Sequence, residues 1–445
     1  MEIEVKRKFK LSSFQIIILG FVAVIFAGAV LLMFPFSSKS REFTPFINSL
    51  FTSVSAVCVT GLIIYDTATY WSTFGQIVIL FLIQIGGMGV IFVASSLLLL
   101  SGRKIGVFGR ETIMEALSAH KTGGVLKLTV FILKRMFIIE FAAALIMMPT
   151  FCIDFGAKGV WMAIFHSVSA FCNAGFDIMG ESSVPFSSLT YYASHPLINI
   201  VIMLLIIVGG IGFLTWQDAH EYKFNLRKYS TQSKVILIVT GALIFVPAIY
   251  YFFTEYGNLP LGKRITVSLF QSVTTRTAGF STADFSQMSE TGQAVTIMLM
   301  LIGGSPGSTA GGMKTTTVAV LIAASICAFK RRPYVSILKR RLEEDVIKNA
   351  ATIFVFYVTL FTFSGIIICS IEGLPLISCM FETASAIGTV GLTLGITSGL
   401  GAISKIILML LMFFGRAGGL TVIYAALGKQ HQVDYKFPAT KITVG

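Results

Sequence analysis

The sequence predicts an all-α membrane protein of four tandem helix–loop–helix units, with eight membrane-crossing helices and four short re-entrant helices. Three observations predict this fold: few charges, long apolar runs, and a short segment that recurs four times. Of 445 residues, 55% are hydrophobic and only 12% are charged, and the mean hydropathy is +0.83. Soluble domains carry about 25% charged residues, so the composition excludes an ordinary globular protein.

Eight apolar spans flank the four short segments in pairs, and each is long enough to cross a bilayer, which takes about 20 residues. The spans are 11–36 and 73–101, 125–153 and 196–217, 233–254 and 292–329, and 344–371 and 402–428. This spacing divides the chain into units at 1–110, 111–225, 226–335 (with an intramembrane loop at 303–317) and 336–428, followed by a tail at 429–445.

The recurring segment begins with phenylalanine and ends with glycine. Its copies are FTSVSAVCVTG (51–61), FHSVSAFCNAG (165–175), FQSVTTRTAG (270–279) and FETASAIGTVG (381–391), of which the third is one residue shorter. About 12 helical residues are too few to cross a bilayer, which indicates a helix that enters and stops part-way. Pro45, Pro260 and Pro375 stand near three of the predicted helix starts, where proline suits the first turn. The second copy lacks this proline, and its start is placed at residue 158.

Lysine and arginine concentrate on one side of the predicted membrane, although the net charge is +13 overall. The basic connections hold Arg103, Lys104, Arg110, Lys121, Lys127, Lys223, Arg227, Lys228, Lys234, Lys330, Arg331, Arg332, Lys339, Arg340 and Arg341. The positive-inside rule predicts that both termini are cytoplasmic and that the four segments enter from outside. The charge indicates contact with anionic lipid rather than nucleic acid, because no nucleic-acid-binding motif accompanies it.

Each of the four segments ends in an irregular stretch that closes with glycine. Non-helical backbone within a membrane is tolerated only where it is buried in protein or lines a water-filled cavity. The simplest arrangement is pseudo-four-fold around one pore, in which a ring of carbonyls replaces the hydration shell of a cation. The alternative is four ordinary turn glycines. The predicted filter residues are Val57, Cys58, Val59, Thr60, Gly61, Phe171, Cys172, Asn173, Ala174, Gly175, Thr275, Arg276, Thr277, Ala278, Gly279, Ile387, Gly388, Thr389, Val390 and Gly391. Arg276 is expected to point away from the pore toward carbonyls or a carboxylate.

The second spans carry glycine clusters of two kinds. Gly86-Gly-Met-Gly and Gly209-Gly-Ile-Gly favour close contact between helices. The third cluster has too poor a helical propensity for a regular span, and we interpret it as a flexible gate beneath the filter, with a passive kink as the alternative. The gate residues are Gly303, Gly304, Ser305, Pro306, Gly307, Ser308, Thr309, Ala310, Gly311, Gly312 and Lys314.

Arg416 lies inside the fourth unit's second span, where a charge is costly and usually faces the bundle interior. It is assigned to the gate on the interpretation that it forms an electrostatic barrier and holds the gate loop through hydrogen bonds. The competing interpretation is that it only satisfies carbonyls at a helix break.

The four-fold plan with glycine-ended loops resembles the Ktr/Trk/HKT superfamily of potassium transporters, and is most similar to the bacterial Ktr membrane subunits of the KtrB type. The resemblance covers nearly the whole chain. It implies that the four glycines end a selectivity filter, and that glycine at Gly61, where sodium-preferring relatives tend to have serine, favours K⁺. It also implies that residues 303–312 gate the pore.

The same resemblance implies partners and a location. It implies a homodimer in the bacterial plasma membrane, regulated by a cytosolic nucleotide-binding ring of the RCK/KTN type. The basic loops 102–127, 218–234 and 330–343 are the candidate docking surfaces. K⁺ is the expected transported ion and Na⁺ a candidate activator, with no other metal or cofactor bound by this chain.

Two further classes of function fit the sequence less well. A Na⁺-coupled or Na⁺-permeable secondary transporter would show inverted repeats and carboxylates at the midplane, whereas these units share one orientation and midplane acids are scarce. A membrane enzyme finds little support, because HExxH and Walker motifs are lacking in the sequence.

Overall fold

The computed structural model describes residues 12–89, 92–93, 114 and 125–419. Four of its helices are long and apolar enough to cross a membrane. They are α1 (Ser13–Met33), α4 (Val125–Phe155), α8 (Thr231–Thr254) and α12 (Glu344–Glu372). These are the predicted first spans of the four units, and the protein is a multi-pass membrane protein.

Local chemistry fixes several ends of the first spans. Ser12 caps α1, because its hydroxyl accepts from the Gln15 amide while the Gln15 side chain accepts from the Ser12 amide. The Ser230 hydroxyl accepts from the Ser233 amide and starts α8. Gly373, in the left-handed conformation, ends α12.

Each first span is followed by a shorter helix, and these are the predicted re-entrant helices: α2 (Phe46–Val57), α5 (Lys158–Phe171), α9 (Leu261–Thr274) and α13 (Leu376–Gly388). Pro45, Pro260 and Pro375 each occupy the residue just before their helix. The second of these helices starts at residue 158 as predicted, directly after the short connection that contains Gly156 at φ +61°.

Each described helix of the second spans is shorter than the first spans, and two of these spans are interrupted within the described residues. They are α3 (Thr73–Met88), α6 (Pro196–Gly210) with α7 (Phe213–Tyr222), α10 (Glu290–Leu301) with α11 (Thr315–Phe329), and α14 (Ala402–Ala417). The expectation of one continuous span at 196–217 was wrong, because α6 and α7 meet at 99°. The break between α10 and α11 contains the predicted loop at 303–312.

The short helices and second spans of neighbouring units pack in a closed cycle. In this cycle α3 contacts α5, α6 contacts α9, α10 contacts α13, and α14 returns to contact α2. Beyond α11, a two-stranded antiparallel hairpin pairs Ser336 with Arg341 and Ile337 with Arg340. Helix packing therefore brings the ends of α2, α5, α9 and α13 around one centre.

Several predicted features lie outside the described residues. They are the N-terminal basic flank, most of the loop at 102–127 with Arg103, Lys104, Arg110 and Lys121, the later part of the span at 73–101, the end of the span at 402–428, and the tail at 429–445.

Candidate functional site

The four segment-ending glycines meet at the centre of the molecule. A Cβ on Gly61 would lie 2.4 Å from the Ala174 carbonyl oxygen, and one on Gly175 would lie 2.6 Å from that of Ala278. The series continues from Gly279 to the Val390 oxygen at 2.6 Å, and from Gly391 back to the Thr60 oxygen at 2.2 Å. Each glycine thus abuts the carbonyl that precedes the next glycine, and the ring closes without room for a side chain.

All four glycines also have a positive φ, between +68° and +91°. Side chains rarely adopt this conformation, so glycine is required for the backbone as well as for the space. The ordinary turn interpretation does not account for mutual contact of four glycines from four distant segments.

A second backbone feature repeats two residues before each glycine. Val59, Asn173, Thr277 and Thr389 are left-handed, with φ between +51° and +62°. For valine and threonine this conformation is strained, and such strain concentrates at functional sites. Sequence reasoning missed this feature, because only Asn173 is a residue type that favours it; alignment of the four segments is the signal that marks the position.

Hydroxyl groups hold the segments against the helices that precede them. The Ser55 hydroxyl accepts from the Gly61 amide at 3.1 Å, and the Ser385 hydroxyl accepts from the Gly391 amide at 3.0 Å. In the other two units the hydroxyls donate instead, Ser169 to the Phe176 carbonyl and Thr274 to the Phe280 carbonyl.

The shorter third segment has a shorter turn. The Ala278 amide bonds the Thr274 carbonyl, four residues back, whereas the equivalent bond from Thr60 reaches Ser55, five residues back. The missing residue is therefore absorbed before the glycine, and Gly279 keeps its place in the ring.

The loop between α10 and α11 lies against two of the four segments. The Thr309 hydroxyl is within hydrogen-bond distance of the Phe171 carbonyl (3.1 Å) and of the Asn173 side-chain oxygen (3.2 Å). A Cβ on Gly311 would collide with the Thr389 side chain at 2.2 Å. The loop therefore runs from the second segment to the fourth on the side of the residues that precede the ring glycines. This side is called beneath the ring.

Further bonds tie this loop to the second spans. The Ser305 and Thr309 amides donate to the carbonyls of Gly210 and Gly209, and the Phe213 amide donates to the Gly307 carbonyl at 2.7 Å. The small glycines serve close packing as predicted, since a Cβ on Gly86 would lie 2.0 Å from the Val57 oxygen and one on Gly209 2.1 Å from that of Phe171.

Arg416 bonds both the loop between α10 and α11 and the carbonyls at a helix end. Its guanidinium donates to the Thr309 carbonyl of the loop, and also to the carbonyls of Gly86 and Gly87 at the end of α3. Lys314 stays within the loop, where its ammonium donates to the Ala310 carbonyl at 2.8 Å. Both cations lie below the ring.

Arg276 is buried and donates to the Thr240 hydroxyl of α8 at 3.2 Å. The expected partners were carbonyls or a carboxylate; the partner observed is a hydroxyl. Because α8 is a first span that packs outside the ring, the guanidinium is directed away from the ring.

Two carboxylates lie close together on the loops that leave the first and second segments. Asp66 accepts from the Thr69 and Phe186 amides, which links the loops of two units. Burial, together with the nearby Asp66 carboxylate, raises the pKa of Asp177 to about 7.

The site presents a narrow ring of backbone carbonyls at the convergence of four short helices. The negative ends of those helices and the carbonyl dipoles both favour a cation over an anion. Such an arrangement of oxygen atoms can replace the hydration water of a cation.

This fold and ring define a membrane protein of the cation-transport class. A family model described as "TrkH: Cation transport protein" matches residues 5–434. The chain belongs to this family, whose members transport cations and are not enzymes.

Individual relatives agree with the family. The chain is 39% identical to the potassium/sodium uptake protein NtpJ of Enterococcus hirae, over 98% of both chains. It is 36% identical to the Ktr system potassium uptake protein B of Bacillus subtilis, over 97% of this chain and 96% of that one. The fold is similar to the crystal structure of the potassium transporter TrkH from Vibrio parahaemolyticus, with a TM-score of 0.73, 20% identity, and 94% and 85% of the two chains covered.

Proposed function

We propose that this chain is the membrane pore subunit of a potassium uptake system. The observation that carries the proposal is the closed ring in which each of the four glycines abuts the carbonyl before the next. Such a ring offers oxygen ligands in place of hydration water. The names of two relatives, a potassium/sodium uptake protein and a Ktr potassium uptake protein, support K⁺ as the ion.

In this proposal the four units, with the boundaries predicted from sequence, surround one pore with pseudo-four-fold symmetry. The cyclic packing of α3 on α5, α6 on α9, α10 on α13 and α14 on α2 supports it. The carbonyls of the four segments form the filter, and the differing side chains of the four copies make that filter asymmetric.

The loop between α10 and α11 is proposed as the gate. It lies beneath the ring, contacts the second and fourth segments, and is held by Arg416. The Arg416 and Lys314 charges also oppose a cation that leaves the filter, so displacement of the loop removes both a steric and an electrostatic barrier.

Regulation is assigned to a partner. We propose that both termini are cytoplasmic, that the chain forms a homodimer, and that a cytosolic nucleotide-binding ring of the RCK/KTN type docks on the basic loops. The exposed basic residues Arg227, Lys228 and Arg341 lie on two of those loops and support this assignment.

A second candidate function is Na⁺-permeable or Na⁺-coupled transport, with Na⁺ either carried or acting as an activator. The name of the Enterococcus hirae relative, which includes sodium, favours its inclusion. Gly61 at the first filter position supports K⁺ preference instead.

Flux into liposomes tests both candidates. Purified chain in vesicles with an imposed gradient should pass K⁺ or Rb⁺ at least about tenfold faster than Na⁺, equivalent to about 1.4 kcal/mol of discrimination. Gly61→Ala should abolish flux, because its methyl would meet a carbonyl oxygen at 2.4 Å, whereas Gly399→Ala is the control in open space. Equal K⁺ and Na⁺ flux would refute selectivity, and flux through Gly61→Ala would refute the filter.

A further inference from the structure

Two apolar cavities lie side by side where the hairpin at 336–341 meets the helices. One, of about 350 Å³, lies between the hairpin, α8 and α11. The other, of about 530 Å³, extends from the hairpin to α12 and to Pro306 of the intramembrane loop. Val235 and Ile337 line both cavities, so the two are adjacent grooves separated by one pair of side chains.

The walls of these cavities are those of a lipid-facing surface. Ile238 and Ile322, on facing sides of the first cavity, are 61% and 56% exposed. The second cavity is lined by Val320, Leu342 and Ile353. In a membrane such a surface is covered by acyl chains, and two adjacent grooves match the two chains of a phospholipid.

Each cavity also has one arginine in its wall, Arg332 in the first and Arg340 in the second. Both are exposed and lie in or beside the hairpin. Within the described parts of the chain, the one ion pair joins Lys348 to Asp345, so neither arginine has a carboxylate partner. An anionic headgroup between the two arginines would supply the missing charge.

We propose that these grooves form a site for one anionic diacyl phospholipid, with one chain on each side of Ile337 and the phosphate between Arg332 and Arg340. The second chain then lies against Pro306, in the wall of the loop beneath the ring. The consequence, which rests on the proposed gate, is that an anionic lipid bound here changes the K⁺ flux through the pore.

Lipid binding can be measured without flux. We would compare retention of phosphatidylglycerol and phosphatidylcholine by the purified full-length chain in native mass spectrometry. The double variant Arg332→Gln/Arg340→Gln should lose about 30-fold in preference for phosphatidylglycerol, about 2 kcal/mol, since each basic residue at an anionic surface contributes about half of this.

The matched control is Arg227→Gln/Lys228→Gln, which removes two exposed charges from a basic loop that lines neither cavity. This control should keep the unmodified protein's preference for phosphatidylglycerol over phosphatidylcholine. A third variant, Ile337→Trp, should reduce binding by filling the wall common to both grooves while leaving both arginines in place. An unchanged preference in the arginine variant, or an equal loss in the control, would overturn the site.

Flux provides the second measurement. K⁺ flux should differ between vesicles of phosphatidylcholine and vesicles containing phosphatidylglycerol, and this dependence should be lost in the arginine variant but kept in the control. Absence of flux in every vesicle would contradict the proposed pore without touching the binding result. If the arginine variant binds lipid normally but no longer binds a cytosolic partner protein, the arginines belong to a protein interface and the lipid site is wrong.

Discussion

Two of the described second spans break where they contact each other, and the breaks differ in length. The second unit's span is interrupted by Ile211 and Gly212 alone, after which α7 continues at 99°. The third unit's span stops at Leu301 and resumes at Thr315, with the loop between. The short break redirects a helix, whereas the long break inserts backbone beneath the glycine ring.

The backbone groups that the two breaks leave unpaired form hydrogen bonds with each other. Freed amides of the long break, at Ser305 and Thr309, donate to the carbonyls of Gly210 and Gly209, and the Phe213 amide after the short break donates to Gly307. Unpaired backbone groups in a bilayer cost several kcal/mol each, so neither break is stable alone. The proposed gate loop and the kink in the second unit therefore form one structure.

The largest predicted effect comes from removal of the long break. Deletion of Gly303–Gly312 takes away the backbone beneath the filter, and K⁺ flux into liposomes should rise at least about tenfold, the effect of about 1.4 kcal/mol of lost closed-state preference. Unchanged flux would show that the loop does not gate the pore. If the deletion variant cannot be purified, Gly311→Ala is tested instead. Its methyl group would lie 2.2 Å from the Thr389 side chain and would displace the loop.

The next prediction concerns the short break. In Gly212→Ala the methyl would lie 2.6 Å from the Pro306 carbonyl oxygen at φ +90°, so it strains the kink and displaces the loop. We expect about 1–3 kcal/mol of destabilisation and a several-fold rise in flux. The matched control is Gly89→Ala, at φ +88° with nothing within 4 Å, which carries the same backbone strain without the contact. Equal flux in the two variants would show that the contact between the kink and the loop does not control flux.

Sequence predicted the regular parts of this fold well. The first spans were predicted at 11–36, 125–153, 233–254 and 344–371, and the helices lie within three residues of those bounds. Apolar length alone identifies such helices, because a helix in lipid satisfies its own backbone. The long break was also predictable, since five glycines and a proline in ten residues cannot form a stable helix.

The short break and the left-handed residues were not predictable in this way. Gly209-Gly-Ile-Gly212 suits close helix contact and a kink equally, and its Gly209 indeed packs against the Phe171 carbonyl. What decides the kink is a loop about 95 residues further along the chain, which supplies the partners for the freed backbone groups. Val59 and Thr389 are left-handed because the ring holds them so, against their own preference.

A smaller effect is expected where the loop touches the filter. Thr309→Val keeps the side-chain shape and removes the hydroxyl that lies 3.1 Å from the Phe171 carbonyl. Loss of this bond costs about 0.5–1.5 kcal/mol, so flux should rise between about two- and tenfold. Thr352→Val, which removes an exposed hydroxyl bonded within its own helix, is the control. A flux equal to that of the control would show that this contact does not hold the loop.

The smallest predicted effect lies on the far side of the ring from both breaks. Because burial and Asp66 raise the pKa of Asp177 to about 7, the folded protein favours the protonated carboxyl. Its contribution to stability is therefore full below the ordinary carboxyl pKa of about 4 and is lost as the pH rises through about 7. Asp177→Asn should flatten the dependence of the unfolding temperature on pH across this window, whereas Asp345→Asn, at an exposed carboxylate, should not. Flux of the deletion variant should remain elevated at both pH 5 and pH 8, since Asp177 follows Gly175 in the chain whereas the proposed gate loop contacts Phe171 and Asn173, which precede it. A loop effect that vanished at one pH would show that the two regions are coupled.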